Sequence, residues 1–154
     1  AAPKLDFGLL GVDPSGAIEV GTKSPYLEEL AASLAKDEDE ISCIVTTGSE
    51  KPEGIFTSCS DHSQELDFEL NEEGVVTAIG SWRAGVSTPR GLAVGDPEVK
   101  VRGRYGRPRV RVGNVSCYFL PRPSVCFMVT TSEGKVTAIR FRRSTRERCL
   151  WPVA

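Results

Sequence analysis

The chain has 154 residues, 40% of them hydrophobic, with no run of roughly 18 apolar residues, so it is long enough for one ordinary domain or two small ones and holds no membrane-spanning helix. Its net charge of −2 conceals two halves of opposite sign: residues 1–80 carry 17 acidic and 4 basic side chains, residues 81–154 carry 4 and 15. A polyanion drawn to the second half would be repelled by the first, which argues against a simple nucleic-acid binder.

Ala1-Ala2-Pro3-Lys4 has no basic segment followed by an apolar one, so it is not a signal peptide; it reads as the end left after one is removed, and an artificial boundary would look the same. Residues 1–15 read as an arm. Gly16 to Thr22 leads into a helix in which Ser24 caps the first turn, Pro25 takes the first helical position, and Leu27, Leu30 and Leu34 repeat at helical spacing to about Lys36. The acidic run Asp37 to Glu40 is a solvated connection. Strand signals follow at 41–47, 55–59, 64–70 and 75–82, separated by turns at 48–54 and 71–74. After a linker the layout restarts: Gly91 to Asp96 matches Gly16 to Thr22, Asp96 is the expected cap, Pro97 the first helical residue, Val101 and Tyr105 share a face, and Gly106 suits a left-handed end. Strand signals at 109–112, 116–120, 125–131 and 135–142 complete the second set. The tail, basic and then apolar, is expected to dock back on a sheet.

The heptapeptide Glu73-Gly74-Val75-Val76-Thr77-Ala78-Ile79 recurs as Glu133-Gly134-Lys135-Val136-Thr137-Ala138-Ile139, six identities in seven, and marks an internal repeat. The expected fold is therefore α+β: two tandem units, each a helical segment packed on a four-stranded antiparallel sheet. The divisions are an arm (1–15), a first unit (16–83), a linker (84–89), a second unit (90–143) and a tail (144–154). Plain alternation puts Val76 and Ala78, or Val136 and Ala138, inward, with Thr77 and Ile79, or Thr137 and Ile139, on the other face. What covers that second face is left open.

Five cysteines and one histidine point to disulfides more than to metal. Two pairs chosen from five allow 15 connectivities, five omissions times three, so spacing alone does not choose among them. Pairing sequence neighbours joins Cys43 to Cys59 and Cys117 to Cys126 and leaves Cys149 over, which implies an oxidising, secreted or cell-surface setting. The alternative is a cytosolic chain with five buried thiols.

Val94-Gly95-Asp96-Pro97 through Val101 to Tyr105-Gly106-Arg107-Pro108 resembles the helical signature of the beta-lactamase inhibitory protein-like fold, and the resemblance extends over about residues 16–143. It implies a secreted bacterial protein in which two units form one long curved sheet whose concave face and loop tips grip a target enzyme. Cys43 and Cys59 match that family's tie between its first two strands, whereas Cys117 and Cys126 would join the second and third. The loop Ser60-Asp61-His62-Ser63 corresponds in place to the family's acidic target-binding loop, but the second unit has no long loop to insert into an active site.

Asp61-His62-Ser63 contains triad letters, yet contiguous residues point in alternating directions and do not by themselves align a base with a nucleophile. Cys59 and His62 have a metal-like gap with no second close ligand pair. No phosphate-cradling loop is present, because Gly103-Arg104-Tyr105-Gly106 lacks the preceding strand and the lysine. No metal or cofactor is expected, and no catalysis. Arg109 and Arg111 share one strand face, Arg140 and Arg142 another; Trp82 and Trp151 are either anchors on a sheet face or the closing residues of a core. The expectation is a noncatalytic extracytoplasmic protein-binding module, an inhibitor in its most specific form, with a protein partner held by Asp61, His62, Trp82, Arg109, Arg111, Tyr118, Arg122, Arg140 and Arg142. A polyanion bound through the basic half, or a homodimer in which the two charges complement one another, is the alternative.

Overall fold

The computed structural model describes residues 8–13, 16–34, 43–47, 54–121 and 124–150. In chain order these form β1 (Gly8–Asp13), β2 (Gly16–Glu19), α1 (Pro25–Leu34), β3 (Cys43–Thr47), β4 (Ile55–Asp61), β5 (Leu66–Asn71) and β6 (Val76–Ser81), then α2 (Val99–Tyr105), β7 (Val110–Val112), β8 (Val115–Leu120), β9 (Val125–Ser132), β10 (Lys135–Arg143) and α3 (Arg146–Leu150). β1 and β2 make a small hairpin. The other eight strands form one antiparallel sheet in the order β3-β4-β5-β6-β10-β9-β8-β7.

The expectation of two units, each with its own helix on its own four-stranded sheet, does not hold. The last strand of each set would leave an open edge of unpaired N–H and C=O groups, and the two edges meet: β6 and β10 pair from Ile139↔Ser81 to Arg142↔Ala78. The result is one long sheet with three short helices, of which α1 has ten residues, α2 seven and α3 five.

Residues opposite one another across a ladder share a face. On one face the row Cys43, Cys59, Phe68, Ile79, Phe141, Phe127, Tyr118 runs through seven strands and supplies the spine of the core. Leu27 and partly buried Leu30, Ala31 and Leu34 of α1 pack on this core, as do Val101 and partly buried Tyr105 of α2. α1 begins as its sequence requires: the Leu27 amide donates to Ser24 Oγ at 3.3 Å and Pro25 opens the helix. α2 begins two residues later than expected. The Asp96 carboxylate turns back to accept from the Ala93 amide at 2.8 Å and pairs with Lys100 at 3.1 Å, so it caps the turn before the helix. Gly106 adopts φ 79°, ψ −154°, outside the left-handed helical region.

The twin heptapeptides make the same hydrogen bonds. Val76 exchanges 2.8 Å bonds with Gly21 and Thr22, and Val136 does so with Gly95 and Asp96. Each also carries a bulge: Glu69 pairs with Ala78 but Leu70 with Val76, and Thr130 pairs with Ala138 but Thr131 with Val136, so Thr77 and Thr137 are inserted residues. The Thr137 hydroxyl donates to the Thr130 carbonyl across the ladder at 3.2 Å, and the Thr77 hydroxyl lies at the same distance from the Glu69 carbonyl. An inserted residue reverses alternation. Val76 and Ile79, like Val136 and Ile139, therefore both face the core, while Ala78 and Ala138 face away, the reverse of the plain-alternation reading for Ala78, Ala138 and the two isoleucines.

Cys43 and Cys59 are directly opposite and joined, with Cα atoms 4.0 Å apart. The Cys117 to Cys126 pairing is overturned: Cys126 is bonded to Cys149, and Cys117 is a buried free thiol. The register explains it. Cys117 sits opposite Met128 and Cys126 opposite Phe119, two residues out of step, which places their Cα atoms roughly 7–8 Å apart, beyond disulfide reach. α3 instead lays Cys149 over Cys126, with the Thr145 hydroxyl accepting from the Arg148 amide at its start. Trp151 lies outside the described residues.

Candidate functional site

The face turned away from α1 and α2 is built of two rows. Ser58, Glu69, Ala78, Arg142, Cys126 and Phe119 form one; Ser60, Asp67, Gly80, Arg140, Met128 and Cys117 form the next. In both, an acid on β5 and an arginine on β10 are separated by a small residue on β6. The pattern is simple to read physically: without a side chain at Gly80, the Arg140 guanidinium crosses β6 and forms an ion pair with Asp67. Glu69 accepts from the hydroxyls of Ser58 at 3.2 Å and Thr77 at 2.8 Å and attracts Arg142 across Ala78. Burial first, then the neighbouring Arg140, holds Arg142 below the usual guanidinium range, with Cys117 and Glu69 opposing. Burial likewise pushes the Cys117 thiol up against the pull of Arg142, so it is kept protonated and unreactive.

α3 covers this face over β8 and β9, pinned by the Cys126–Cys149 disulfide. Beside it lies an open groove of about 270 Å³, lined by Trp82, Val115, Met128, Thr130, Ala138 and the Asp67–Arg140 pair. At the end of the sheet the Trp82 and His62 rings lie 5.9 Å apart and tilted by 59°. The backbone holds them there: the Trp82 amide donates to the Glu65 carbonyl at 3.2 Å, and the Ser81 hydroxyl donates to the same carbonyl at 2.8 Å.

The sequence-derived residues thus divide. Trp82, Arg140 and exposed His62 are brought to the part of this face that α3 leaves open, or to its end, with Arg142 in the adjoining row. Asp61 is buried; its carboxylate accepts from the Ser63 amide and hydroxyl and from the Gln64 amide and side chain, closing the β4–β5 turn. Burial raises its pKa, and these hydrogen bonds together outweigh that and hold the carboxyl below the ordinary aspartate value. Because Ser63 Oγ donates directly to Asp61 at 2.6 Å, the histidine does not stand between them. Tyr118 lies in the core row, its hydroxyl donating to the Gly106 carbonyl at 3.0 Å. Arg111 is on the helix-covered side and pairs with Glu98 at 3.2 Å; Arg109, exposed, follows it by alternation. Arg122 lies outside the described residues.

Asp67, Gly80 and Met128 were not singled out in the sequence. Their signal was the coincidence of an acid, a glycine and an arginine at matching ladder positions, legible only once β6 is paired with β10. Among the described residues no three His, Cys, Asp or Glu side chains converge as metal ligands would, and no helix is long and apolar enough to cross a membrane.

No family model and no curated protein matches the chain. One solved structure is similar in fold: an extracellular protein containing a SCP domain from Bacillus anthracis str. Ames, with a TM-score of 0.50 and 12% identity. The match covers 81% of this chain and 44% of that one, so the chain spans less than half the length of the protein it resembles.

Proposed function

We propose that the chain is a noncatalytic, extracytoplasmic binding module that meets a protein partner with the uncovered face of its sheet, Trp82 being the anchor and Arg140 and His62 its polar surroundings. The observation that carries this is the half-buried Trp82 beside a groove with Met128, Val115 and Ala138 at its base and a charged pair at its rim, the mix of aromatic anchor, adaptable apolar floor and flanking charge that interfaces use. Two disulfides and the fold likeness to an extracellular protein support the compartment. The resemblance of residues 94–108 to beta-lactamase inhibitory proteins supports enzyme inhibition as the specific form of that binding. The polyanion reading has less behind it, since Arg140 and Arg142 face Asp67 and Glu69 while Arg109 and Arg111 lie on the other side of the sheet.

The test is capture from the secreted proteins of the source organism with the full chain as bait, beside Trp82→Ala carrying an unchanged denaturation midpoint. A partner retained by the wild type and lost with Trp82→Ala is expected. Equal capture by both, or retention only on heparin with release by salt, would overturn the reading.

A further inference from the structure

On the opposite face, between α2 and the β7–β8 edge, a second groove of about 370 Å³ opens beside Val99, Val101 and Pro108, with Ser116, Tyr118 and Thr131 as its buried floor. We propose that this groove binds a small amphipathic carboxylate. Its size falls at the lower end of the roughly 300–1,000 Å³ of small-molecule sites. The site is independent of the face assigned to a protein partner, lying on the other side of the sheet.

Hydrogen bonding selects the ligand's chemistry. The Tyr118 hydroxyl is committed to the Gly106 carbonyl. Thr131 Oγ1 donates to Glu98 Oε1 at 3.0 Å, and Arg111 donates to that same oxygen and to the Gly113 carbonyl, both at 3.2 Å. Arg111 thereby pairs with the Glu98 carboxylate. Beyond that pair, two side chains of the groove offer donors. The Ser116 hydroxyl lines the groove at 7% exposure with no hydrogen-bond partner among the described residues, a condition native proteins rarely leave unanswered. The Arg102 guanidinium at the mouth is exposed and has no carboxylate within ion-pair distance among the described residues. A hydroxyl and a guanidinium, both offering hydrogens, call for an anionic acceptor, and a carboxylate meets both. The rest of the ligand is apolar. Val99 is 77% exposed at the rim, the largest exposure among the big hydrophobics of the described residues, and a ring or short alkyl body would cover it against Val101 and Pro108.

The probe is benzoate titrated into the full ¹⁵N-labelled chain, with benzyl alcohol as the uncharged match in shape. Saturable amide shifts are expected at Val99, Arg102, Ser116 and Tyr118. Arg102→Gln, at an exposed position that leaves the spectrum otherwise intact, should weaken benzoate by about tenfold and leave benzyl alcohol unchanged, since only the charge-assisted bond is removed. Ser116→Ala should weaken benzoate as well. The proposal is overturned by the absence of saturable shifts at these amides up to the solubility limit, by benzyl alcohol binding as tightly as benzoate, or by equal benzoate affinity in Arg102→Gln.

Discussion

Gly80→Ala tests how the two halves of the sheet are joined. Glycine inside a strand ordinarily costs about 0.5–1 kcal/mol relative to alanine, so at a neutral position the substitution would stabilise the protein. At 80 the added Cβ would lie 2.9 Å from Asp67 Oδ1, 3.1 Å from the Ile139 carbonyl and 3.2 Å from Arg140 Cβ. The carboxylate can swing away, giving up its pair with Arg140. With side chains 32% and 37% exposed, that pair contributes about 0–1 kcal/mol. The Ile139 carbonyl and Arg140 Cβ belong to the neighbouring strand and yield only if the β6–β10 ladder parts, an overpacking cost of about 1–3 kcal/mol. The costs sum to about 1–4 kcal/mol against a propensity gain of about 0.5–1 kcal/mol, so a net loss centred on about 2 kcal/mol is expected. Urea denaturation of the wild type, Gly80→Ala, Asp67→Ala and the double variant would measure it. In the Asp67→Ala background the closest contact is gone but the backbone contact stays, so Gly80→Ala should still destabilise, by about 1 kcal/mol. A neutral or stabilising Gly80→Ala would refute the close approach of β6 and β10.

The disulfides and the β4–β5 turn give further tests. Separations of 16 and 23 residues correspond to about 3.1 and 3.4 kcal/mol in the chain-entropy treatment, so Cys59→Ser and Cys149→Ser should lower stability by similar amounts in urea titrations. Cys117→Ser should leave both bonds in place by intact mass and peptide mapping; loss of a bond there would show that the pairing is different. Asp61 supplies a pH dependence of known sign. Its folded carboxyl titrates below the unfolded value of 3.8, so its contribution is whole above that pH and is lost as pH falls through the folded value. The gap in urea midpoint between wild type and Asp61→Asn should therefore be widest near neutrality and narrow below about pH 4; a gap that widens in acid contradicts the turn-closing role.

The eight strands of the large sheet were legible because each alternating run is bracketed by turn residues, and α1 was legible because Ser24-Pro25 states its start; β1 and β2 were not, since residues 1–15 read as an arm and Gly16 to Thr22 as the approach to a helix, where the structure pairs Gly8–Asp13 with Gly16–Glu19 as a hairpin. What escaped depended on contacts between distant residues or on single insertions. Thr77 and Thr137 have nothing in their own chemistry to announce a bulge, yet each reverses the faces of the residues after it, which is why Ala78 was placed inward and Ile79 outward. Of the adjacent pair Tyr118 and Phe119 only one can face the core, and the choice follows from Tyr118 lying opposite Phe127, a register fixed across the β8–β9 hairpin. Asp61 looked like a loop tip because a polar residue beside histidine and serine usually is one; in the structure it is buried, its carboxylate taken up by four hydrogen bonds within its own turn. Cys149 is left over when sequence neighbours are paired, and α3, only five residues long, carries too few turns to show in the periodicity the element that brings it to Cys126.

Among the described residues, the opposed charges of the two halves form an ion pair at the seam. Asp67 and Arg140 meet there across Gly80, but β5 and β7 are five strand spacings apart, roughly 24 Å at about 4.8 Å each. That is about three Debye lengths at physiological ionic strength. Glu65, Glu72 and Glu73 near β5 are therefore not neutralised by exposed Arg102, Arg104, Arg107 and Arg109 around α2 and β7. The sheet carries an electrical polarity along its width, acidic toward one edge and basic toward the other. Such a field discriminates by orientation: a partner of uniform sign gains at one edge what it loses at the other, whereas one with matching opposite polarity is turned into register before contact. Raising salt should then slow association with a true partner while leaving its dissociation nearly unchanged. Heparin, by contrast, would report the basic edge alone and lose its hold steeply with salt.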